Sequence, residues 1–346
     1  MRILYLSRSM KDYKAAYYQR DVMDELDKQA EIVFYGPGYS GFDPSKSINK
    51  VISELNKDID LLMVGHAWLS DTPGAPADPF PELRLDKCEL PKAIILNKEY
   101  TNLEAKLDWI RDKKFFRGFT HHHRVNYYAE RCECNFVFWP FAVNYDFFGA
   151  HSGIPKEIDF AFSGILQNQG SNARQSDIRV RIMRHLFHCA GDIPVLPRTQ
   201  YSSYKIVWNT RPRKRWQRRL SLLARRHRYL PDEEYRAIQE KARIYLNTLS
   251  PVGLVGTRFA ENMATKALVF CEESDEVSRI FPENCFVSFR KDLSDFDEKF
   301  FYFLENETAR QKIVETAYEL VGQQHTWRKR VSDMLSVLRN DLDSLE

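Results

Sequence analysis

The amino-acid sequence predicts an α/β protein made of two doubly wound domains, each with a parallel sheet covered by helices on both faces. Two observations carry this prediction. Short apolar runs of strand length alternate with segments of helix length along the chain, which is the pattern that βαβ units produce. The chain also has 346 residues, which is more than one hydrophobic core usually supports.

The first domain is expected over residues 1–150. Each of its apolar runs ends at a polar or glycine-containing break, as at Gly65-His66, and such breaks mark the end of a strand. Strands are predicted at residues 1–6, 31–35, 61–64, 92–96, 115–119 and 135–139, and helices at residues 14–29, 48–56 and 103–111.

The second domain is expected over residues 151–325, where the same alternation starts again. It follows a linker that contains Gly149, Gly153 and Pro155. Strands are predicted at residues 160–164, 244–247 and 267–270, helices after Asp177, before residue 244 and after Arg258, and an acidic loop at residues 272–276. A last helix is expected over residues 326–346, with Thr326 well placed as its N-cap.

Five short motifs follow one another in the last third of the chain. They are Tyr235, Leu246-Asn247, Arg258-Phe259-Ala260-Glu261, Leu268-Val269-Phe270 and His325-Thr326-Trp327 with Arg330. In this order and spacing they resemble the C-terminal half of the group 1 glycosyltransferases, in particular the spore-maturation-type branch. The resemblance implies the GT-B fold, in which two Rossmann-like domains face a cleft and the last helix crosses back to the first domain.

The resemblance also implies an activity and a donor site. Such enzymes take a sugar from a nucleotide diphosphate sugar, held by the C-terminal domain, and pass it to an acceptor. Glu261 matches a carboxylate that accepts hydrogen bonds from the ribose hydroxyls, and Arg258 matches the arginine of the branch. Arg179 occupies the place of an arginine on the donor diphosphate, with Arg174 as its nearby substitute. Gly164 ends a predicted strand, where a glycine lets the backbone approach a phosphate.

Two positions depart from the family pattern. Gly253 stands eight residues before Glu261, where the retaining members of the family have a first glutamate, and Lys266 stands where the family usually has a glycine. The stereochemical outcome therefore stays open. The departures also leave an alternative function open, a non-catalytic binding or partner protein on a degenerate GT-B fold.

Candidate catalytic residues come from the first domain. Transfer to a hydroxyl benefits from a general base, and its leaving group from electrostatic support. Parallel sheets present such groups at the carboxyl ends of their strands, where His66, Glu99 and His121 are expected. His66 directly follows a buried strand, and its pKa is expected near neutrality.

No metal or other cofactor is expected. The consecutive histidines His121, His122 and His123 do not point the same way in any regular element. Cys132 and Cys134 lack the spacing of a structural zinc site and are interpreted as ordinary reduced cysteines.

A strongly basic run extends from Arg211 to Arg228, with nine Lys or Arg among eighteen residues and Trp216 between them. It fits a solvated insertion, or an interfacial helix held by anionic lipid. Nucleic-acid binding is the third interpretation and is not expected, because no recognised nucleic-acid module surrounds the run.

The expected location is the cytoplasm, with peripheral association at the inner membrane face. The first apolar run is too short for a signal peptide, and no apolar stretch reaches the length of a transmembrane helix. The acceptor is expected to be a glycan or a lipid-linked saccharide.

Overall fold

The computed structural model describes residues 1–10, 17–68, 76–99, 101–150, 153–166, 178–211, 230–250 and 252–344. The chain divides into two compact units. Unit 1 contains Met1–Phe141 together with Trp327–Glu346, and unit 2 contains Ala142–Thr326.

Unit 1 is a doubly wound α/β domain. Its strands are β1 (Arg2–Leu6), β2 (Glu31–Tyr35), β3 (Leu61–Val64), β4 (Lys92–Leu96), β5 (Arg117–Thr120) and β6 (Asn135–Phe138). Its helices are α1 (Tyr17–Gln29), α2 (Ile48–Glu54), α3 (Leu103–Asp112), α4 (Val125–Cys132) and, at the end of the chain, α12 (Trp327–Asp343).

The six strands of unit 1 form one parallel sheet in the order β2-β1-β3-β4-β5-β6. Every residue of β3 and β4 is buried, as expected for central strands that carry helices on both faces. The strand predicted at residues 115–119 begins only at Arg117, and Phe115, which precedes it, packs in the core against Trp109.

Helix α12 completes unit 1 by packing against α1. Its buried residues recur at helical spacing, which gives the helix one apolar face: Trp327, Val331, Met334, Leu335 and Leu338. Two polar contacts fix its register. The Arg117 guanidinium forms a bidentate pair with Asp341 at 2.6 Å, and the indole N–H of Trp139 donates to the Arg330 carbonyl at 2.9 Å. The predicted return of the last helix to the first domain is confirmed.

Unit 2 repeats the alternation of strands and helices. Its strands are β7 (Ile158–Ile165), β8 (Phe187–Ala190), β9 (Ile193–Pro197), β10 (Ile206–Arg211), β11 (Ala242–Asn247), β12 (Leu268–Glu272) and β13 (Val287–Phe289). Its helices are α5 (Tyr145–Phe148), α6 (Ile178–Leu186), α7 (Asp232–Lys241), α8 (Arg258–Ala264), α9 (Asp275–Ser278), α10 (Phe296–Glu305) and α11 (Glu307–Gln324).

Five strands of unit 2 form a second parallel sheet in the order β10-β7-β11-β12-β13. Two features differ from the sequence prediction. Strands β8 and β9 pair as an antiparallel hairpin, which the helix-and-strand alternation did not indicate. The acidic loop predicted at residues 272–276 instead begins with the last residue of β12 and contains the first turn of α9. The prediction of an α/β chain with two doubly wound parallel sheets is confirmed.

The structure explains why Lys266 stands where a glycine is usual. Lys266 follows the C-terminus of α8 with a φ of 55°, in the left-handed region that helix C-termini reserve for glycine. A residue with a side chain loses about 1 kcal/mol or more there. The ammonium compensates by pairing with both carboxylate oxygens of Glu315 at 2.8 and 2.9 Å, and it lies 4.4 Å from the ring centroid of Tyr318.

The positive φ of residue 266 predicts that glycine stabilises the protein more than alanine there, which is the reverse of the order inside a helix. Lys266→Gly should have a free energy of unfolding about 1 kcal/mol higher than Lys266→Ala, because glycine adopts a positive φ without strain. Lys312, an exposed residue inside α11, is the matched control, and there the alanine variant should be the more stable by about 1 kcal/mol. Urea unfolding of the four variants measures both differences. An alanine variant at 266 that equals or exceeds the glycine variant would contradict the assignment.

Candidate functional site

The carboxyl ends of β3, β4 and β5 carry the three predicted catalytic residues. His66 lies two residues after β3, Glu99 three residues after β4, and His121 directly after β5. Because neighbouring parallel strands end at the same edge of a sheet, their following loops meet there. All three side chains are buried, so this edge of unit 1 holds an inward-facing polar cluster.

The two histidines form a directed hydrogen-bonded pair. Their Nε2 atoms lie 3.1 Å apart, and Nδ1 of His121 lies 2.8 Å from the Trp139 carbonyl oxygen. Since a carbonyl only accepts, Nδ1 of His121 carries a proton, and Nε2 of a neutral His121 accepts the Nε2 proton of His66. Nδ1 of His66 is then a bare lone pair, and it has no hydrogen-bond partner in the described part of the chain.

The expected near-neutral pKa of His66 is wrong. Burial, with a further contribution from His121, lowers the pKa of His66 well below its ordinary value. Burial also lowers the pKa of His121 to about 4. Aromatic rings exclude water from the pair. Phe141 stacks on His121 with the ring centroids 3.8 Å apart, and Tyr18 makes an edge contact with His66 with the centroids 5.3 Å apart. Both imidazoles are therefore neutral at physiological pH.

Glu99 titrates differently from the histidines. Its Oε1 accepts a hydrogen bond from the Thr120 hydroxyl at 2.9 Å. Burial raises the pKa of Glu99 to about 7, against opposing effects from its hydrogen bonds and from Lys106. A carboxyl group that titrates near neutrality is suited to accept or donate a proton at working pH.

A second cluster lies at the carboxyl edge of the sheet in unit 2. The Arg258 guanidinium donates to the Ser163 carbonyl oxygen and lies 6.0 Å from the ring centroid of Phe162. The next residue of β7 is Gly164, and a Cβ there would lie 2.8 Å from Nη1 of Arg258. The absence of a side chain at residue 164 is thus what admits the arginine.

Arg179 approaches the same ring from α6. Its guanidinium lies 5.8 Å from the Phe162 centroid, its Nε donates to the Thr248 hydroxyl at 2.6 Å, and a terminal nitrogen reaches the Leu249 carbonyl at 3.5 Å. The structure therefore brings Gly164, Arg179 and Arg258 together around Phe162. Arg174 lies outside the described residues, and the donor roles of all four stay predictions.

Glu261 occupies the first turn of α8 and is fully buried. Its Oε2 accepts hydrogen bonds from the Tyr235 hydroxyl at 3.0 Å and from the Gln239 amide at 3.4 Å. Both donors lie on α7, so this helix fixes the orientation of the carboxylate. Contact with a ribose stays a prediction.

The backbone conformation explains why a glycine stands at residue 253. Its φ is +82°, and its N–H donates to the Ser250 carbonyl in a tight turn. A glutamate at this position would adopt a left-handed conformation that L-residues disfavour. The glycine at residue 253 therefore suits the backbone conformation of this turn.

The sequence alone missed three residues of the second cluster. Thr248 directly follows β11, and the rule that polar residues after parallel strands line a site could have found it. Glu272, which accepts the backbone N–H of Leu249, was assigned to a loop, although it is the last residue of β12. Phe162 gives no signal in the sequence, because a phenylalanine inside an apolar strand is ordinarily core.

No group of three His, Cys, Asp or Glu residues in the described ranges is arranged to hold a metal ion. Three Asp-x-Asp spacings do occur, at residues 58–60, 295–297 and 341–343. Each contributes a carboxylate to an ion pair: Asp60 with the N-terminus, Asp295 with Lys299, and Asp341 with Arg117. Cys132 and Cys134 are both buried.

Comparison with known proteins relates part of the chain to a family and the whole chain to a fold. The family model described as glycosyl transferase-like matches residues 176–336, which include Arg179, Arg258 and Glu261. Solved glycosyltransferases match the full length of the chain. Residues 176–336 therefore match the glycosyl transferase-like family, and the chain as a whole has the GT-B fold.

Three of the similar solved structures show the extent of the match. A glycosyltransferase from Rickettsia africae has 12% identity and a TM-score of 0.60, with 98% of each chain covered. Sucrose-phosphate synthase from Thermosynechococcus elongatus has 12% identity and a TM-score of 0.62, with 99% of this chain and 100% of that chain covered. Anabaena HepE in complex with UDP and glucose has 10% identity and a TM-score of 0.60, with 98% and 100% covered. A search of curated protein sequences gives no match.

None of the helices that the structure describes is both long and apolar enough to cross a membrane.

The raised pKa of Glu99 predicts a pH dependence of the enzyme's stability. Between the ordinary value of 4.5 and about 7, folded Glu99 holds a proton that the unfolded chain has lost. Its contribution to stability is therefore present below pH 4.5 and is lost as the pH rises through 7. Relative to Glu99→Gln, the free energy of unfolding of the wild type should fall by roughly 3 kcal/mol across this window.

The control is Glu130→Gln, on the exposed side of α4. Its difference from the wild type should not change across the same window. Denaturant unfolding at several pH values measures both pairs, and a constant difference between the wild type and Glu99→Gln would contradict the buried, proton-holding state.

Proposed function

We propose that this enzyme transfers a sugar from a nucleotide diphosphate sugar to a hydroxyl group of a glycan or lipid-linked saccharide, without a divalent metal. The observation that carries the proposal is the cluster of Arg179 and Arg258 around Phe162, beside Gly164. It lies at the carboxyl edge of a parallel sheet, which is where α/β folds of this kind bind nucleotides.

Two arginines suit the diphosphate of such a donor. A guanidinium presents several donors in a planar fork and stays charged, so it both orients phosphate oxygens and stabilises the charge of the departing diphosphate. Solved structures of the same fold support a uridine nucleotide, since Anabaena HepE holds UDP-glucose and an α-glucosyltransferase holds UDP. We therefore propose a UDP-sugar as donor.

Glu261 is the proposed ligand of the ribose hydroxyls. Tyr235 and Gln239 already hold its carboxylate from α7, so an incoming nucleotide would meet a group whose orientation is set. Preorganisation of this kind reduces the entropy that binding must overcome.

On the acceptor side, Glu99 is the best supported of the three catalytic candidates. Burial gives it a pKa of about 7, which matches the working range of a general base. His66 and His121 stay neutral because burial lowers the pKa of each. Their proposed role is therefore structural, as a hydrogen-bonded pair whose charge does not change at working pH.

Metal independence is supported by the ligand chemistry of the described residues. They contain no group of three side chains with suitable donors, and the Asp-x-Asp carboxylates Asp60, Asp295 and Asp341 are paired with cations. Arginines would then provide the positive charge that a metal supplies in other transferases.

The test is a panel of UDP, GDP, CMP and dTDP sugars, measured by thermal shift and by transfer to saccharide acceptors with and without excess chelator. A UDP-sugar at a hundredfold excess over its Kd should stabilise the folded enzyme by about 2.7 kcal/mol, and transfer should persist in chelator. Loss of transfer that Mg²⁺ or Mn²⁺ restores would contradict metal independence. Binding without transfer or donor hydrolysis would instead support a non-catalytic protein on a GT-B fold.

We also propose that the run from Arg211 to Arg228 holds the enzyme at the inner, anionic face of a membrane. The run lies outside the described residues except for the backbone of Arg211, so its composition alone supports this proposal. Attraction to acidic vesicles should fall steeply with salt, since the Debye length shrinks from ~10 Å at 0.1 M to ~3 Å at 1 M, while Trp216 and the leucines should leave a salt-resistant remainder. Absence of binding to acidic vesicles at low salt would leave the run as a solvated insertion.

A further inference from the structure

Glu272 is a buried carboxyl group with one unused oxygen. It ends β12, and its residue is only 6% exposed. Its Oε1 accepts the backbone N–H of Leu249 at 2.9 Å. Its Oε2 has no hydrogen-bond partner among the residues that the structure describes.

An unpartnered buried oxygen calls for an explanation. The large majority of buried polar side-chain atoms in native proteins are hydrogen-bonded, and leaving one without a partner carries a cost in free energy. Burial also raises the pKa of Glu272. A ligand that hydrogen-bonds Oε2 would remove this cost, and the free protein would then hold the oxygen ready for it.

Glu272 is joined to the arginine cluster through a short chain of contacts. Leu249, whose N–H binds Glu272, receives Arg179 at its carbonyl oxygen, and Arg179 also holds Thr248. Arg179 in turn lies against the same ring as Arg258. Oε2 of Glu272 therefore lies at the carboxyl edge of the sheet that carries the proposed donor site.

The chemistry of the carboxyl group indicates which part of a donor it would meet. A carboxylate repels a diphosphate, and that part of the donor already has two arginines. A sugar hydroxyl both donates and accepts hydrogen bonds, so it satisfies Oε2 in either protonation state.

We propose that Oε2 of Glu272 hydrogen-bonds one hydroxyl group of the transferred sugar and thereby selects the sugar. This proposal rests on the proposed function, since it requires a nucleotide sugar at this edge. A site that uses a buried polar group to hold a hydroxyl rejects the analogue that lacks it, because the protein group is then left unpaired.

The experiment measures the Kd of UDP, of the UDP-sugar that the panel selects, and of that donor with one sugar hydroxyl at a time replaced by hydrogen. The proteins are the wild type, Glu272→Ala, Glu272→Gln and the control Glu273→Ala, which removes the exposed carboxylate of the next residue. Glu272→Gln keeps an acceptor for Leu249 and a polar group at Oε2, so it tests whether lost folding explains the alanine variant.

In the wild type and in Glu273→Ala, one deoxy donor should bind about 10-fold to 100-fold more weakly than the parent. In Glu272→Ala that ratio should fall to about threefold or less, while the Kd of UDP stays unchanged, and Glu272→Gln should keep part of the discrimination. The proposal is overturned if Glu272→Ala discriminates as the wild type does at every hydroxyl, or if it loses UDP and the UDP-sugar equally. If the wild type binds UDP and the UDP-sugar but binds every deoxy donor equally well, the proposal for Glu272 is wrong and the proposed function still holds. If the wild type binds no nucleotide sugar, both proposals are wrong.

Discussion

The contact between Arg258 and the Ser163 carbonyl oxygen is the constraint on which the proposed donor site depends. It joins the first residue of α8 to β7 across 95 residues of sequence, and it exists because Gly164 has no side chain. A Cβ at residue 164 would lie 2.8 Å from the Arg258 guanidinium and 3.0 Å from the Phe162 ring. With Arg258 fixed, the start of α8 is fixed, and Glu261 lies in its first turn against the donors of α7.

Both candidate sites lie at the carboxyl edge of a parallel sheet, but they differ in charge. In each unit the strands of the main sheet run parallel, so residues that are far apart in sequence meet at one edge. The edge in unit 1 holds two neutral histidines and a carboxyl group that titrates near neutrality. The edge in unit 2 holds two arginines and a carboxyl oxygen that has no partner among the described residues. The first arrangement suits proton transfer, and the second suits a charged nucleotide sugar.

Much of this arrangement was predictable from the sequence, because strand ends are local features. Apolar runs that end at polar residues placed His66, Glu99 and His121 at strand ends, and the family motifs placed Arg258 and Glu261 on one helix. The protonation state of His66 was not predictable, since it depends on rings from distant elements such as Tyr18 and Phe141. Glu272 was missed for a similar reason. Its hydrogen bonding is visible only in the structure, where Oε1 accepts the N–H of Leu249 and Oε2 has no partner among the described residues.

The most direct test of this account is the affinity of Gly164→Ala for the UDP-sugar, with Gly153→Ala as control. A Cβ at residue 153 meets nothing within 4 Å. At residue 164 a Cβ would meet the end of the Arg258 side chain at 2.8 Å and the buried Phe162 ring at 3.0 Å, so both side chains must shift. The account predicts that Gly164→Ala still unfolds cooperatively, at a lower denaturant concentration than the wild type, and binds the donor at least about 10-fold more weakly, the loss of one charge-assisted hydrogen-bonding group. Donor affinity equal to that of Gly153→Ala and the wild type would contradict the account.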